Sequence, residues 1–312
     1  MIRSTIDIGT NTILMLIAEY DEQTGNIKTI LDIQRVPRLG KGVDSNRNIL
    51  PESIKKAIDI LEEYNDISED HDSDKITATA TSFIRDSHNK DEFLNAIRLN
   101  TGMEIEILTG IDEAKWTYAG GVYDKLGSNS RLTTIDIGGG STEITTSASP
   151  ISTINDLLTQ QITGKSMNIG SVRLNEKFLN AHPPAFDDIM NAEKFINEHL
   201  KEIDFEIAGT ELIGVAGTVT TLGAIVLGLD KFEANKVDGL NITIAQIEDV
   251  LNKLIPMPIE ELYGMGDYMT GRADIVIPGI LILKCFMKKF GFGSVRVSTK
   301  GLRYGVFLRD VI

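Results

Sequence analysis

A single cysteine, Cys285, excludes an internal disulfide and fits a reducing, cytoplasmic setting. Long apolar runs are also missing. The longest, Ile275 to Leu283, contains Pro278 and is too short to span a bilayer, so no membrane association is expected. Asp7 and Asn11 interrupt the apolar N-terminus, so no secretory signal is expected there. No tandem repeat with a period of roughly 20–50 residues is visible, which excludes a solenoid. Acidic residues are absent between Asp274 and Asp310, a stretch that holds Lys284, Lys288, Lys289, Arg296, Lys300, Arg303 and Arg309. Two readings fit that bias: an ordinary solvated basic segment, or a basic surface beside a phosphate site. The opposite bias lies at Glu62 to Asp74, which is dense in acid.

What is present is an ordinary globular composition, 42% hydrophobic over 312 residues, a length that suits two domains. The net charge of −14, taken alone, argues against a polyanionic ligand, and no nucleic-acid polymer is expected as partner. Runs rich in Val, Ile and Thr predict strands at 3–8, 12–20, 27–34, 75–80, 104–108, 132–137, 142–147, 211–216 and 294–298. Pro51 opens a predicted helix, with Ile54, Ala57, Ile58 and Leu61 on one face. Further helices are predicted near 90–99, 111–124, 173–180, 186–201, 218–228, 243–254 and 274–290. Strands first, then strands alternating with helices, imply a mixed α/β class.

The pentapeptide Thr-Ile-Asp-Ile-Gly occurs twice, at Thr5–Gly9 and at Thr134–Gly138. Each copy opens a strand, a polar turn and a returning strand, a hairpin pattern. Chance reuse of common strand residues could produce five matching letters, but the surroundings match too. The pair therefore reads as a duplicated domain, 1–124 and 125–312, with the boundary near the polar stretch Tyr123–Ser130. The last segment, 301–312, is expected to pack back on the first domain.

In the second copy, Gly138, Gly139 and Gly140 let backbone N–H groups approach an anion with no Cβ in the way. Ser141 adds a hydroxyl, and Asp136 and Glu143 flank the turn in the manner of a Mg²⁺ site. The same letters also fit a plain glycine hairpin. The first copy offers Asp7, Gly9, Thr10 and Asn11. A third turn, Gly217–Thr218, follows an apolar strand and opens a helix, as either an anion site or an ordinary cap. Gly164-Lys165-Ser166 looks like the end of a Walker A loop, but Thr159 stands where that motif needs glycine, and no strand is predicted before it.

Taken in order, these segments resemble the exopolyphosphatase/guanosine pentaphosphate phosphohydrolase (Ppx/GppA) family, in the superfamily of actin, hexokinase and heat-shock chaperone ATPases. The resemblance runs along the chain: IDIGTNT, VPRLGKGVD (36–44), ATSFIRDSHN (80–89), LTGIDEAKWTYAGG (108–121), DIGGGSTE, MNIGSVRL (167–174), GVAGTVTTL and STKGLRYG (298–305). It implies two duplicated RNase H-like (actin/hexokinase superfamily) domains with an interdomain cleft, Mg²⁺ as cofactor, inorganic polyphosphate or pppGpp as substrate, and a homodimer. It makes Glu113 the general base toward water and Arg85, placed in a loop, a clamp on phosphate oxygens. Thr109 with Asp112 fits a capping box that sets Glu113 in a first helical turn. Gly170 and Ser171 are expected near the phosphate chain, with Arg173 auxiliary, and Asp136, Glu143 and Asp7 are the expected metal carboxylates. The chain resembles the short form that ends without an added helical region. It also carries Tyr304 where the family pattern commonly has a glutamate.

Overall fold

A computed structural model describes residues 1–21, 23–40, 47–159 and 161–312. The Lys41–Asp44 end of the VPRLGKGVD motif lies outside the described residues. The chain forms two units, Met1–Gly120 with Leu302–Ile312, and Gly121–Gly301. The first crossing therefore comes four residues before the expected 124/125 boundary, and a single boundary does not describe the chain. The reason is local: the polar stretch 123–130 is not the crossing, because the helix Gly110–Val122 carries the chain through it. Gly121 already packs in the second unit, where a Cβ would lie 2.8 Å from Val215 Cγ1.

The sheet of the first unit has the order β3 (Asn26–Arg35), β2 (Ile13–Asp21), β1 (Ile2–Ile8), β4 (Ile76–Ala80), β5 (Ile105–Ile107). β1, β2 and β3 form an antiparallel meander, while β4 and β5 run parallel to β1. The run ILMLIA in β2 is apolar throughout because both faces are covered. Ile13, Met15 and Ile17 join Leu61, Tyr64, Phe93 and Ile97 in one cluster. Leu16 and Ala18 point the other way, against Tyr304 and Phe307 of the C-terminal helix Leu302–Val311. That alternation also sorts β1. Ile6 and Ile8 enter the first cluster, and Thr5 on the opposite face donates its hydroxyl to Arg303 O at 2.9 Å. The helix Pro51–Asp70 buries Ile54, Ala57 and Leu61, as its spacing requires.

The sheet of the second unit repeats the plan: β8 (Ile162–Met167), β7 (Thr142–Ser147), β6 (Leu132–Ile137), β9 (Glu211–Val215), β11 (Ser294–Val297), with β10 (Asn241–Thr243) added at the edge. β6, β7 and β8 are the antiparallel meander, and β9 and β11 are the parallel pair. Both units thus carry an antiparallel meander followed by two parallel strands, the duplication expected from the repeated pentapeptide. Sequence patterning misses β8 and β10. β8 reads ITGKSM, an outer strand with a central glycine and little buried surface, so the rejected Walker-like letters belong to a strand. Among the described residues, no helix is long and apolar enough to cross a membrane.

Within the first unit, the C-terminal helix crosses the helix Gly110–Val122 at Gly305. A Cβ there would lie 1.7 Å from the carbonyl oxygen of Trp116, a backbone atom that cannot swing aside. Gly305→Ala is therefore expected to lower stability by about 1–3 kcal/mol or more through overpacking. Urea denaturation would show it as an earlier midpoint, and an unchanged midpoint would contradict this packing.

Candidate active site

Both hairpin turns close in the same way. The Gly9 N–H donates to Thr12 O at 2.9 Å, and the Gly138 N–H donates to Ser141 O at 3.0 Å. A Cβ on either glycine would lie 3.2 Å from that same carbonyl. In the first unit the Thr10 and Asn11 carbonyls accept the N–H groups of Gly40 and Arg38, at 2.8 and 3.1 Å. In the second unit the Gly138 carbonyl accepts the Ser171 N–H at 2.9 Å and the Ser171 hydroxyl at 3.2 Å. The Gly139 carbonyl accepts the N–H groups of Val172 and Arg173, and the Gly140 carbonyl accepts Arg173 Nε at 3.0 Å. The amides of Gly139 and Gly140 donate to no protein acceptor among the described residues. A turn with its carbonyls occupied and successive amides left outward is an anion nest. Gly170 and Ser171, expected beside the phosphate, are placed against the backbone of this turn.

The carboxylates separate by unit. Asp136 on β6 stands directly opposite Glu143 on β7, and buried Glu143 accepts the Ser166 hydroxyl at 2.6 Å through Oε1. The corresponding register in the first unit opposes Asp7 to Leu14, so the paired acids exist in one copy only. Asp7 Oδ1 is shielded from solvent and has no protein partner among the described residues. Burial pushes the Asp7 carboxyl up to about 7, the Glu113 charge adds to that shift, and Arg303 opposes it. Among the described residues, no three histidine, cysteine or acidic side chains gather into a metal cage. Mg²⁺ does not need one, because it takes one or two carboxylates with water and phosphate oxygens. Within the second unit the facing pair Asp136/Glu143 fits that demand, and within the first unit the orphaned Asp7 oxygen is a separate carboxylate of the same kind.

Glu113 sits in the first turn of the helix Gly110–Val122. The Asp112 N–H donates to Thr109 Oγ1 at 3.1 Å, and the Thr109 hydroxyl donates to Asp112 Oδ2 at 2.7 Å. This local cap fixes the turn and leaves Glu113 to point inward, where its side chain is 8% exposed. Arg85 Nη1 donates to Glu113 Oε2 and to Leu108 O, each at 2.9 Å. Arg85 ends a short helix, Ser82–Arg85, rather than lying in a loop, because the chain turns helical directly after β4. Burial raises the Glu113 pKa, while Arg85 holds it back by charge and hydrogen bond.

The third turn contains a group that sequence reading passed over. Ala216 adopts φ +64°, in the left-handed region, between β9 and the helix Ala216–Leu227. The Thr218 hydroxyl donates to Ile137 O at 3.2 Å. A Cβ on Gly217 would lie 1.6 Å from Arg272 Nη1, so the guanidinium lies against that glycine at the helix N-terminus. Burial lowers the Arg272 pKa to about 10, which still leaves it charged at neutral pH. The available signal was Gly271-Arg272-Ala273-Asp274, a forked cation immediately before an apolar helix.

The profile of the Ppx/GppA phosphatase family matches residues 16–312. The chain belongs to that family. It is 28% identical to Exopolyphosphatase 2 of Mycobacterium tuberculosis, across 98% of this chain and 97% of that protein. It is 32% identical to a bifunctional 3-dehydroquinate synthase/phosphatase of Fusobacterium nucleatum, across 99% of this chain and 46% of that longer protein. Among solved structures, an exopolyphosphatase from Cytophaga hutchinsonii superposes with a TM-score of 0.87 at 25% identity, covering 100% of this chain and 99% of that one. The Ppx/GppA enzyme of Aquifex aeolicus gives 0.81 at 27% identity, covering 99% of each chain. By family membership the chain is a phosphoanhydride hydrolase.

Two features of this Ppx/GppA chain resolve against the sequence alternatives. Most bases of the acid-poor segment are paired locally rather than spread as a basic surface: Lys284 with Glu193, Lys288 with Glu248, Lys300 with Asp124 and Asp238, and Arg309 with Glu106 and Asp310. Their acidic partners come from elsewhere in the chain, which composition along one stretch cannot reveal. Tyr304 is tied to β3. Its hydroxyl donates to Asp32 Oδ2 at 3.1 Å, and Asp32 also receives Arg303 Nε and Nη2 at 2.9 and 2.8 Å. Tyr304 thus completes a packed, hydrogen-bonded contact with β3.

The opposing influences on Glu113 give a pH signature. Were Glu113 to act as a base it would have to be ionised, so kcat/KM is expected to fall on the acid side as it protonates. Arg85→Ala removes the charge that lowers this pKa and leaves burial unopposed. The acid limb is then expected to move to higher pH, in addition to any loss of rate. A pH–rate profile with its acid limb unmoved or moved to lower pH would contradict the pairing.

Proposed function

We propose that this protein is an exopolyphosphatase that removes terminal phosphate from inorganic polyphosphate, with Glu113 as the base toward water. The observation that carries this reading is the buried Glu113 carboxylate, held by Arg85 in the capped first turn of its helix. A kinase needs its base on an acceptor substrate, whereas a phosphatase needs one on water, and the family is one of phosphatases. In the proposed reaction, water attacks the terminal phosphorus, Glu113 accepts the proton, and the shortened chain leaves. Phosphoryl transfer of this kind is mainly positioning and charge stabilisation. The outward amides of Gly139 and Gly140 receive phosphoryl oxygens, and so do the Ser141 and Thr10 groups of the two turns. Arg85 orients Glu113 and adds positive charge. Arg272 and the first amides of the helix Ala216–Leu227 supply a further anion-binding end.

Asp136 and Glu143 of the second unit are the carboxylates that would hold Mg²⁺, which when bound would neutralise phosphate oxygens, and Asp7 is the candidate carboxylate of the first unit. The protein is read as cytoplasmic and as a homodimer, the latter checked by sizing chromatography. Hydrolysis of pppGpp to ppGpp is the related activity that the same phosphate groups would support.

Phosphate release should be compared for short polyphosphate, long polyphosphate, pppGpp and ATP at matched Mg²⁺. Polyphosphate is expected to be fastest, and chelation of Mg²⁺ is expected to abolish release. Glu113→Gln is expected to lower kcat about 10²–10⁴-fold while leaving polyphosphate binding in place. Undiminished release by that variant would remove Glu113 as the base. Tight pppGpp binding without release from any of the four compounds would make the protein a sensor instead.

A further inference from the structure

The two turns share a feature that the repeated pentapeptide does not contain. In a trans peptide the C=O and the following N–H lie in one plane and point in opposite directions. Whatever holds a carbonyl therefore fixes the direction of the next amide. In the second unit, the three carbonyls of Gly138, Gly139 and Gly140 are all taken by residues 171–173. Those bonds orient the N–H groups of Gly139, Gly140 and Ser141. In the first unit, Gly40 and Arg38 take the carbonyls of Thr10 and Asn11, which orients the N–H groups of Asn11 and Thr12.

The segments that do this occupy the same place in each unit, shortly after the third strand of the meander. Arg38–Gly40 follows β3, which ends at Arg35, and Gly170–Arg173 follows β8, which ends at Met167. Each contains a glycine that the contact requires. A Cβ on Gly40 would lie 2.2 Å from Thr10 Cγ2 and 3.3 Å from Thr10 O. A Cβ on Gly170 would lie 2.3 Å from Gly139 O and 2.4 Å from Gly139 C. The second case is backbone against backbone, so no side-chain rotation relieves it. Such a clamp matters more for three glycines than for any other sequence. Gly-Gly peptides rotate with little steric opposition, and a rotated plane would point a carbonyl at the anion in place of an amide.

We propose that Gly170, Ser171 and Arg173 are positioning residues that lock the peptide planes of the Gly138–Ser141 turn with their amides toward phosphate, and that Arg38 and Gly40 do the same for the first turn. This rests on the reading of the glycine turn as a phosphate site. It changes the role of Ser171. Its N–H and hydroxyl act on the Gly138 carbonyl, and it serves the substrate through the turn. Arg173 likewise contributes through Gly140.

The test uses the full chain with ¹⁵N-glycine labelling, in the Glu113→Gln background so that tripolyphosphate is bound and not consumed. The Gly139 and Gly140 amide resonances of this parent are expected to shift on tripolyphosphate addition. In Gly170→Ala and in Arg173→Ala those shifts are expected to shrink or vanish. With Glu113 intact, each variant is expected to lose about 10–100-fold in kcat/KM, as misplaced catalytic geometry does. Far-UV circular dichroism should stay that of the parent. If Gly170→Ala does not fold, Arg173→Ala carries the test, because it adds no atom to the contact. Shifts equal to the parent's, with kcat/KM within about twofold in the folded variants, would overturn the positioning role. If the parent's two amides stay still while calorimetry shows tripolyphosphate binding, the phosphate reading of the turn fails and this inference falls with it.

Discussion

The direction in which each hairpin turn presents its peptide groups is the constraint on which the rest of this structure depends. A closing bond from Gly9 to Thr12, and from Gly138 to Ser141, makes each turn tight. A tight turn crowds carbonyls and amides together, and one set has to face inward. The chain returns after the third strand of each meander and takes the carbonyls. In the second unit the Gly139 and Gly140 amides are then left without a protein acceptor among the described residues, an arrangement suited to phosphate that needs little side-chain charge. The proposed anion site is thereby compatible with a net charge of −14. Whole-chain charge describes the long-range field, whereas oriented amides act at hydrogen-bond distance.

The duplicated plan has been put to unequal use. In the second unit Asp136 faces Glu143 across the hairpin, while in the first unit Asp7 faces Leu14. The facing acids and the three-glycine turn belong to one copy. The other copy carries Glu113 and Arg85, with the Glu113 charge raising the pKa of Asp7. Two buried acids in one unit are costly unless a cation, a proton or a substrate compensates them. Arg85 offsets part of that cost at Glu113, and Arg303 part of it at Asp7.

Much of this was legible in the sequence, for identifiable reasons. The strand pairs around each Thr-Ile-Asp-Ile-Gly copy were readable because a short strand, polar turn and returning strand have a local pattern. Glu113 was placed correctly in a first helical turn because Thr109 and Asp112 cap that turn within three residues. β8 was not readable, since ITGKSM owes its strand to pairing with β7 rather than to propensity. The crossing at Gly120/Gly121 was hidden inside a helix, where composition does not change. The pairing of Arg85 with Glu113 joins residues 28 apart, and Arg272 reaches Gly217 from 55 residues later. Contacts of that kind leave no periodic trace. The family resemblance named Glu113 and Arg85 as functional, yet only the coordinates show that the two are bonded to each other.

The account's central claim is that water attacks the terminal phosphorus of a phosphate chain on this protein. The most direct measurement is hydrolysis of polyphosphate in ¹⁸O-water, with mass analysis of both products. One labelled oxygen in each released orthophosphate and none in the shortened chain is the predicted result. Label in the shortened chain, or turnover that incorporates no label at all, would contradict the account.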